Sequence, residues 1–351
     1  MHTKVLFDVC KFEFMWNDQW NIIRKLTFYR VFNIFKLGFS YVLAKHFKKV
    51  KVMGLPFSAS IEPTTACNLG CPECPSGLKS FTRPTGRLDV ELNQKMLHQL
   101  GKQMLYINYY FQGEPFLNPE FLQLIKDAKK HNIYTATSTN GHFITPQKAE
   151  EIVDAGLDRL IISIDGLTQK TYEQYRRNGK LEKVLQATKY MVEAKKKKKS
   201  KTPHLIFQFL VVAPNEHEVE EVFNLGSEMG VDEVRLKTAQ LYDYKHGNPL
   251  MPKNEKYARY KKMKDGTYKL KYKLGDYCWR MWSSTVLTWD GKVLACCFDK
   301  DAKHTLGNMA KIPFVEIWKS KRYLGFRESV FTRRKSIDIC KNCSEGAKVW
   351  T

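Results

Sequence analysis

Between Pro56 and Lys237 the chain alternates short runs rich in β-branched and aromatic residues with longer stretches whose apolar residues recur at helical spacing. Strands are expected at Ser58–Pro63, Leu105–Tyr110, Thr135–Thr139, Arg159–Ile164, His204–Val212 and Glu233–Lys237. Helices are expected at Val90–Lys102, Pro119–His131, Pro146–Ala155, Thr168–Arg177, Leu181–Glu193 and Glu216–Met229. A strand followed by a helix, repeated, builds a parallel sheet, because the helix carries the chain back before the next strand pairs. Six such units are too few to close an eight-stranded barrel. The expected fold is therefore α/β, an open, partial (β/α)6 barrel of the TIM type with its chemistry at the strand C-termini.

The first of those strand ends carries three cysteines. Residues 61–75 run Ile-Glu-Pro-Thr-Thr-Ala-Cys-Asn-Leu-Gly-Cys-Pro-Glu-Cys-Pro, which spaces Cys67, Cys71 and Cys74 as C-x3-C-x2-C. Three thiolates on one tight loop can hold three irons of a [4Fe–4S] cluster and leave the fourth open to a small molecule, whereas a fully Cys-ligated cluster only moves electrons. A C-x2-C pair also binds zinc, and a buried Cys is often a small core residue. Asn68, Gly70, Pro72 and Pro75 interleave these thiols and favour a ligand loop over a packed element.

Later strand ends carry polar turns. Gln112-Gly113-Glu114-Pro115 follows the second strand, where Gly113 permits close backbone approach and Glu114 offers a carboxylate to a cation. Ser138-Thr139-Asn140-Gly141 ends the third strand and Ser163-Ile164-Asp165-Gly166 the fourth. Asx-Gly pairs are also ordinary turn formers, so their weight comes from position. Arg176, with Arg177 as its rival, lies one helix later. Gln208 and Lys237 fall on the fifth and sixth strands, facing a ligand or closing a polar layer of the barrel.

A second cysteine group follows a Lys-, Tyr- and Gly-rich stretch at 242–275 that reads as a linker. Cys278, Cys296 or Cys297, Cys340 and Cys343 form C-x17-C…C-x2-C, with a hairpin expected at 286–295 around Asp290-Gly291. Four thiolates could bind zinc or a fully ligated [4Fe–4S] cluster. Strand alternation sends Cys296 and Cys297 to opposite faces, which favours Cys296 as the ligand.

Taken together, residues 57–345 resemble the radical S-adenosylmethionine (SAM) superfamily, with a C-terminal auxiliary domain of the SPASM or twitch type. The three-Cys loop resembles its cluster loop, Gln112-Gly113-Glu114-Pro115 its Gly-Gly-Glu-Pro motif with Gln112 replacing the first Gly, and the late cysteines its auxiliary ligands. The resemblance implies a SAM-binding [4Fe–4S] cluster on Cys67, Cys71 and Cys74, and one auxiliary [4Fe–4S] cluster on Cys278, Cys296, Cys340 and Cys343. It implies that Gly113 and Glu114 meet the SAM ammonium, that the turns with Ser138, Asn140 and Ser163 lie around its ribose and carboxylate, and that Ser163 and Arg176 meet the carboxylate, while Asp165 sets a turn. Reductive cleavage of SAM to a 5′-deoxyadenosyl radical would then abstract a substrate hydrogen, with the auxiliary cluster receiving the leftover electron. The substrate is a small hydroxylated metabolite or a peptide or protein side chain. Alternatives are a crosslinking peptide maturase, or a metal-stabilised, non-catalytic binding protein at a membrane surface. No acid, base or nucleophile is singled out.

Composition constrains location and partners. Nine cysteines without a secretory signal suit metal sites in a cytoplasmic protein better than disulfides, and no apolar stretch reaches membrane-span length. Of 351 residues, 43% are hydrophobic, enough for a sizeable core. The net charge of +22 fits an acidic flavodoxin- or ferredoxin-type electron donor, an acidic peptide or an anionic membrane. No nucleic-acid module is present to favour that partner. Residues 1–53 form an extension outside the resemblance, before a barrel at 54–241 and an auxiliary domain at 276–351. Within that extension, 19–50 reads as a basic amphipathic helix broken near Gly38. Its apolar set, including Ile23, Phe28, Val31, Phe32, Phe35 and Val42, is expected to pack on the domain, with peripheral contact at the inner membrane surface as the alternative. The run Lys195–Lys199 is expected in a solvated loop.

Overall fold

The structure is a computed structural model that describes residues 18–272 and 274–343. The start of the extension, residues 1–17, and the terminal 344–351 lie outside the described residues. The six expected strands form as β1 Ser58–Ile61, β2 Tyr106–Asn108, β3 Tyr134–Thr139, β4 Arg159–Ser163, β5 His204–Val211 and β6 Glu233–Thr238. All five pairings between consecutive strands are parallel. One face of β4 and β5 is a run of buried Leu160, Ile162, Leu205, Phe207 and Phe209, as a sheet covered by helices requires.

The covering helices are α2 Val90–Leu100, α3 Phe121–Lys130, α4 Pro146–Asp154, α5 Gln169–Tyr175, α6 Leu181–Lys197 and α7 Val219–Met229. Each start has a local cause. Asp89 caps α2, Thr145 with Pro146 starts α4, and Thr168 caps α5, each side-chain oxygen accepting a backbone N–H that the first turn leaves unpaired. Helix α6 outruns its expected end near Glu193, so Lys195, Lys196 and Lys197 form its last turn instead of a loop. Cations there face the negative end of the helix dipole, which offsets their mutual repulsion.

The extension contributes a helical turn at 18–23 and the long α1 Phe28–Phe47. The break falls at 24–27, where Thr27 caps α1, and the helix runs unbroken through Gly38. Its inward stripe is Arg30, Asn33, Leu37, Ser40 and Ala44. Arg30 donates to the carbonyls of Lys25, Gly101, His131 and Asn132, and Asn33 exchanges two hydrogen bonds with Leu55. The loops entering β2 and β3 present bare carbonyls, and buried carbonyls demand donors. The expected packing holds for Leu37, which is buried, and for Tyr41, which packs on the core, but Phe28, Val31, Phe32, Phe35 and Val42 are exposed. Asp18 closes the base of the barrel, pairing with Tyr134 and Arg159.

The late hairpin forms from β9 Ser284–Leu287 and β10 Lys292–Leu294, with Gly291 at φ 81° in its turn. Strand β9 pairs in parallel with β1, and β11 Thr305–Asn308 pairs with β10. One nine-stranded sheet results, ordered β11-β10-β9-β1-β2-β3-β4-β5-β6, so the auxiliary region extends the barrel sheet at its β1 edge. Within the stretch expected as a linker, Tyr260–Lys262 and Tyr268–Leu270 pair as an antiparallel hairpin. The buried Tyr260 hydroxyl bonds Leu241 and Asn342, fastening this hairpin to the C-terminal knuckle.

Candidate active site

The three-Cys loop leaves β1 and returns into a short helix, Pro75–Leu78, beneath the turn that follows β2. Glu114 N donates to Ala66 O at 2.8 Å and Gly113 N to Ser76 Oγ at 2.9 Å. Gly113 has φ 75°, and a Cβ there would stand 2.2 Å from Thr64 O, so only glycine allows this contact. A Cβ on Gly77 would meet Cys71 N at 2.5 Å. These approaches press the two loops together at the C-terminal ends of β1 and β2.

Each thiol then faces a different polar side chain. Cys67 Sγ lies 4.0 Å from Asn140 Nδ2, Cys71 Sγ 4.0 Å from Arg176 Nη1, and Cys74 Sγ 4.0 Å from Gln112 Oε1. Burial raises the Cys71 thiol pKa and pushes Cys67 up to about 11. Iron ligation removes those protons outright, so the loop suits a metal better than a free nucleophile. Among the described residues no three His, Cys, Asp or Glu close on a point for one ion.

Glu114 is buried at the centre of the strand ends. It accepts from Thr139 Oγ1 and Asn140 N at 2.8 Å each and from Phe116 N at 3.3 Å. Burial raises its pKa to about 7 in spite of those donors. A buried carboxylate poised there is a group that a nearby cation would ionise, as the ammonium of SAM would. Asn140 is held in turn by His142, which accepts from Lys180 N at 2.8 Å.

Arg176, and not Arg177, enters the site: Arg177 is exposed and contributes its carbonyl to Gly70 N. Arg176 donates to Asp165, whose other oxygen accepts from Leu210 N at 2.7 Å. Burial opposes the Arg176 charge, but Asp165 and Cys71 outweigh it and hold its pKa well above the ordinary value. Asp165, expected to shape a turn, thus anchors Arg176 as well. The Asp-Gly spelling of an ordinary turn hid that second role.

Parallel register puts Ser138 and Ser163 on one face of the sheet with Gln208 and Lys237. Ser138 and Gln208 are half-buried, Ser163 is buried and Lys237 is exposed. The structure therefore gathers Cys67, Cys71, Cys74, Gly113, Glu114, Asn140 and Arg176 into one cluster of contacts, with the two serines on the adjoining strands.

The late cysteines meet around Arg334. Its Nη2 lies 3.6 Å from Cys343 Sγ, and Nη1 donates to the carbonyls of Gly275 and Tyr277. Burial opposes its charge, but Cys278, Cys343 and Cys340 raise its pKa on balance. Burial pushes Cys340 up to about 11. Cys296 lies against Cys297 and within electrostatic reach of Cys278. The face argument for choosing Cys296 does not apply, because β10 ends at Leu294 and both cysteines lie beyond the strand. A guanidinium among thiols suits an anionic thiolate cluster. The two regions are joined by Glu62, which pairs with Arg83 through both oxygens and accepts from Trp289 N at 3.3 Å. Neither Glu62 nor Arg83 carries a signal in the sequence that would single it out.

Residues 61–226 match the radical SAM superfamily model, and residues 278–344 match SPASM, an iron–sulfur cluster-binding domain. The chain belongs to the radical SAM superfamily. Radical SAM domains take a [4Fe–4S] cluster and SAM, and SPASM domains take auxiliary iron–sulfur clusters. The chain is 25% identical over 314 residues, 81% of its length and 86% of the relative's, to the tungsten-containing aldehyde ferredoxin oxidoreductase cofactor-modifying protein of Pyrococcus furiosus. It is 29% identical over 202 residues to the PqqA peptide cyclase of Gluconobacter oxydans, covering 57% of this chain and 54% of that one. Streptococcus suis SuiB, solved bound to its precursor peptide SuiA, shares the fold with a TM-score of 0.61 at 14% identity, over 86% of this chain and 73% of SuiB.

Proposed function

We propose that this radical SAM enzyme oxidatively modifies a peptide or protein side chain. The observation that carries the reading is the convergence of the three thiols, Glu114 and Arg176 at one end of an open barrel with a polar inner face. The peptide branch, rather than the small hydroxylated metabolite, is supported by the similarity to a peptide cyclase.

In this reading Cys67, Cys71 and Cys74 hold the first cluster, and Cys278, Cys340, Cys343 and Cys296 the second. Glu114 would hold the SAM ammonium, which favours its ionised form; one of its oxygens accepts only from Asn140 N. Arg176, fixed by Asp165, steadies the Cys71 thiolate and turns its remaining N–H groups toward the carboxylate. Ser163 offers that carboxylate a hydroxyl, while Ser138 and Asn140 border the ribose. When bound, the first cluster and SAM supply a hydrogen-abstracting radical, and the second cluster supplies an electron sink. The net charge of +22 suits an acidic flavodoxin- or ferredoxin-type donor.

The test is isotope transfer. The anaerobically reconstituted enzyme is given SAM, a strong reductant and a pool of deuterated short peptides, and its 5′-deoxyadenosine is analysed by mass. Deuterium in that product supports the reading. Transfer from deuterated sugars or alcohols alone would replace it with metabolite oxidation.

A further inference from the structure

Helix α1 lies across the end of the barrel opposite the active site. Its inward stripe binds the carbonyls of Gly101, His131 and Asn132, which lead into β2 and β3. Its outward stripe is Phe28, Val31, Phe32, Phe35, Phe39 and Val42, spaced along one helical face. Phe28 is 88% exposed and Phe35 66%. Phe28 stacks on Phe32 at 6.4 Å and Phe35 on Phe39 at 6.5 Å, so the aromatic rings form a continuous ridge. An exposed aromatic ridge of this kind is costly to leave in water and marks an interaction surface.

Charge along α1 and its flanking segments has one sign. No Asp or Glu occurs between Asp18 and Glu62, whereas Arg24, Lys36, Lys45, Lys48, Lys49 and Lys51 do. The last turn of α6 and the loop after it add Lys196, Lys199 and Lys201, which make no ion pair with any described residue. Lys195, Lys197 and Lys198 are neutralised by Asp232, Glu150 and Asp154. This segment and the N-terminal turn are contiguous: Trp20, Arg24, Lys196, Lys199 and Lys201 line one cavity of about 760 Å³, whose two carboxylates, Asp18 and Asp232, are paired with Arg159 and Lys195. No helix among the described residues is long and apolar enough to cross a membrane.

We infer that this end of the barrel rests on an anionic lipid bilayer, with the α1 aromatic ridge sunk to the headgroup–acyl boundary and Lys196, Lys199 and Lys201 on the lipid phosphates. A ridge of aromatics beside unpaired cations, on a helix too polar to span, is the pattern of an in-plane interfacial helix. Each added cation near such a surface is worth about fivefold in affinity. The active site then opens away from the lipid, toward soluble substrates and donors. This inference does not depend on which substrate is oxidised.

The test is co-sedimentation of the full chain with vesicles of phosphatidylcholine alone and of an equimolar mixture with phosphatidylglycerol. Binding to the mixture only, weakened by salt, is expected. The double variant Phe32→Ser/Phe35→Ser and the triple variant Lys196→Glu/Lys199→Glu/Lys201→Glu should each bind the mixture at least roughly tenfold more weakly. Both should keep the iron content and 5′-deoxyadenosine yield of the parent, since all five residues lie outside the site. Absence of parent binding to the mixed vesicles overturns the inference, as does undiminished binding by both variants. A parent that ignores vesicles but self-associates through the Phe32/Phe35 face would assign that face to a second copy instead.

Discussion

Arg176 bridges Asp165 and the Cys71 thiol, with its Nη1 4.0 Å from Cys71 Sγ while its Nε donates to the buried Asp165 carboxylate. Loss of the Asp165 charge leaves a nearly buried guanidinium without its partner. Asp165→Asn should destabilise the fold by about 3 kcal/mol or more. The denaturant midpoint of the reconstituted protein checks this. An unshifted midpoint would mean that the bond from Leu210 N, with the one that Asn215 Nδ2 donates to the Asp165 carbonyl, holds the site without the ion pair.

Gly113→Ala brings a Cβ against Thr64 O, at 2.2 Å in the present backbone, at a φ of 75° that L residues rarely adopt. The β2 turn and the cysteine loop must separate to admit it. Reduced iron retention at the first site and at least a roughly tenfold loss of SAM cleavage are expected. Iron analysis and product chromatography measure both.

Glu114 gives a pH signature. Its pKa is raised in the folded chain, from 4.5 to about 7, so burial favours the protonated form. Its contribution to stability is full below pH 4.5 and is lost as pH climbs through about 7. SAM binding runs the other way, because the ammonium favours the carboxylate. Affinity for SAM should strengthen as pH rises through about 7, and Glu114→Gln should flatten that dependence. Calorimetric titration across that range reads both effects.

The second site makes a count. The parent should hold about eight iron atoms per chain, and Cys340→Ala/Cys343→Ala about four, with SAM cleavage retained. About four iron atoms and one zinc in the parent would contradict an auxiliary iron–sulfur cluster.

What was legible in the sequence follows from periodicity and spacing. Strands β3, β4 and β5 fell where runs of buried residues lay, the mark of a covered parallel sheet. The cysteine loop and the Gly113–Glu114 turn were legible because few backbones tolerate such residues together. The docking of α1 was not, because its polar inward stripe answers carbonyls contributed by Gly101, His131 and Asn132, far away in the chain. The Cys296 and Cys297 geometry depended on β10 stopping at Leu294, and a strand end carries little signal. The bond from Arg176 to Asp165 was hidden for a similar reason, as an Asp-Gly turn needs no partner to be explained.

The most direct measurement is the yield of 5′-deoxyadenosine from SAM under anaerobic, strongly reducing conditions, for the reconstituted parent and for Cys67→Ala/Cys71→Ala/Cys74→Ala. The account predicts turnover by the parent and none by the variant. Equal yields from the two proteins would contradict it.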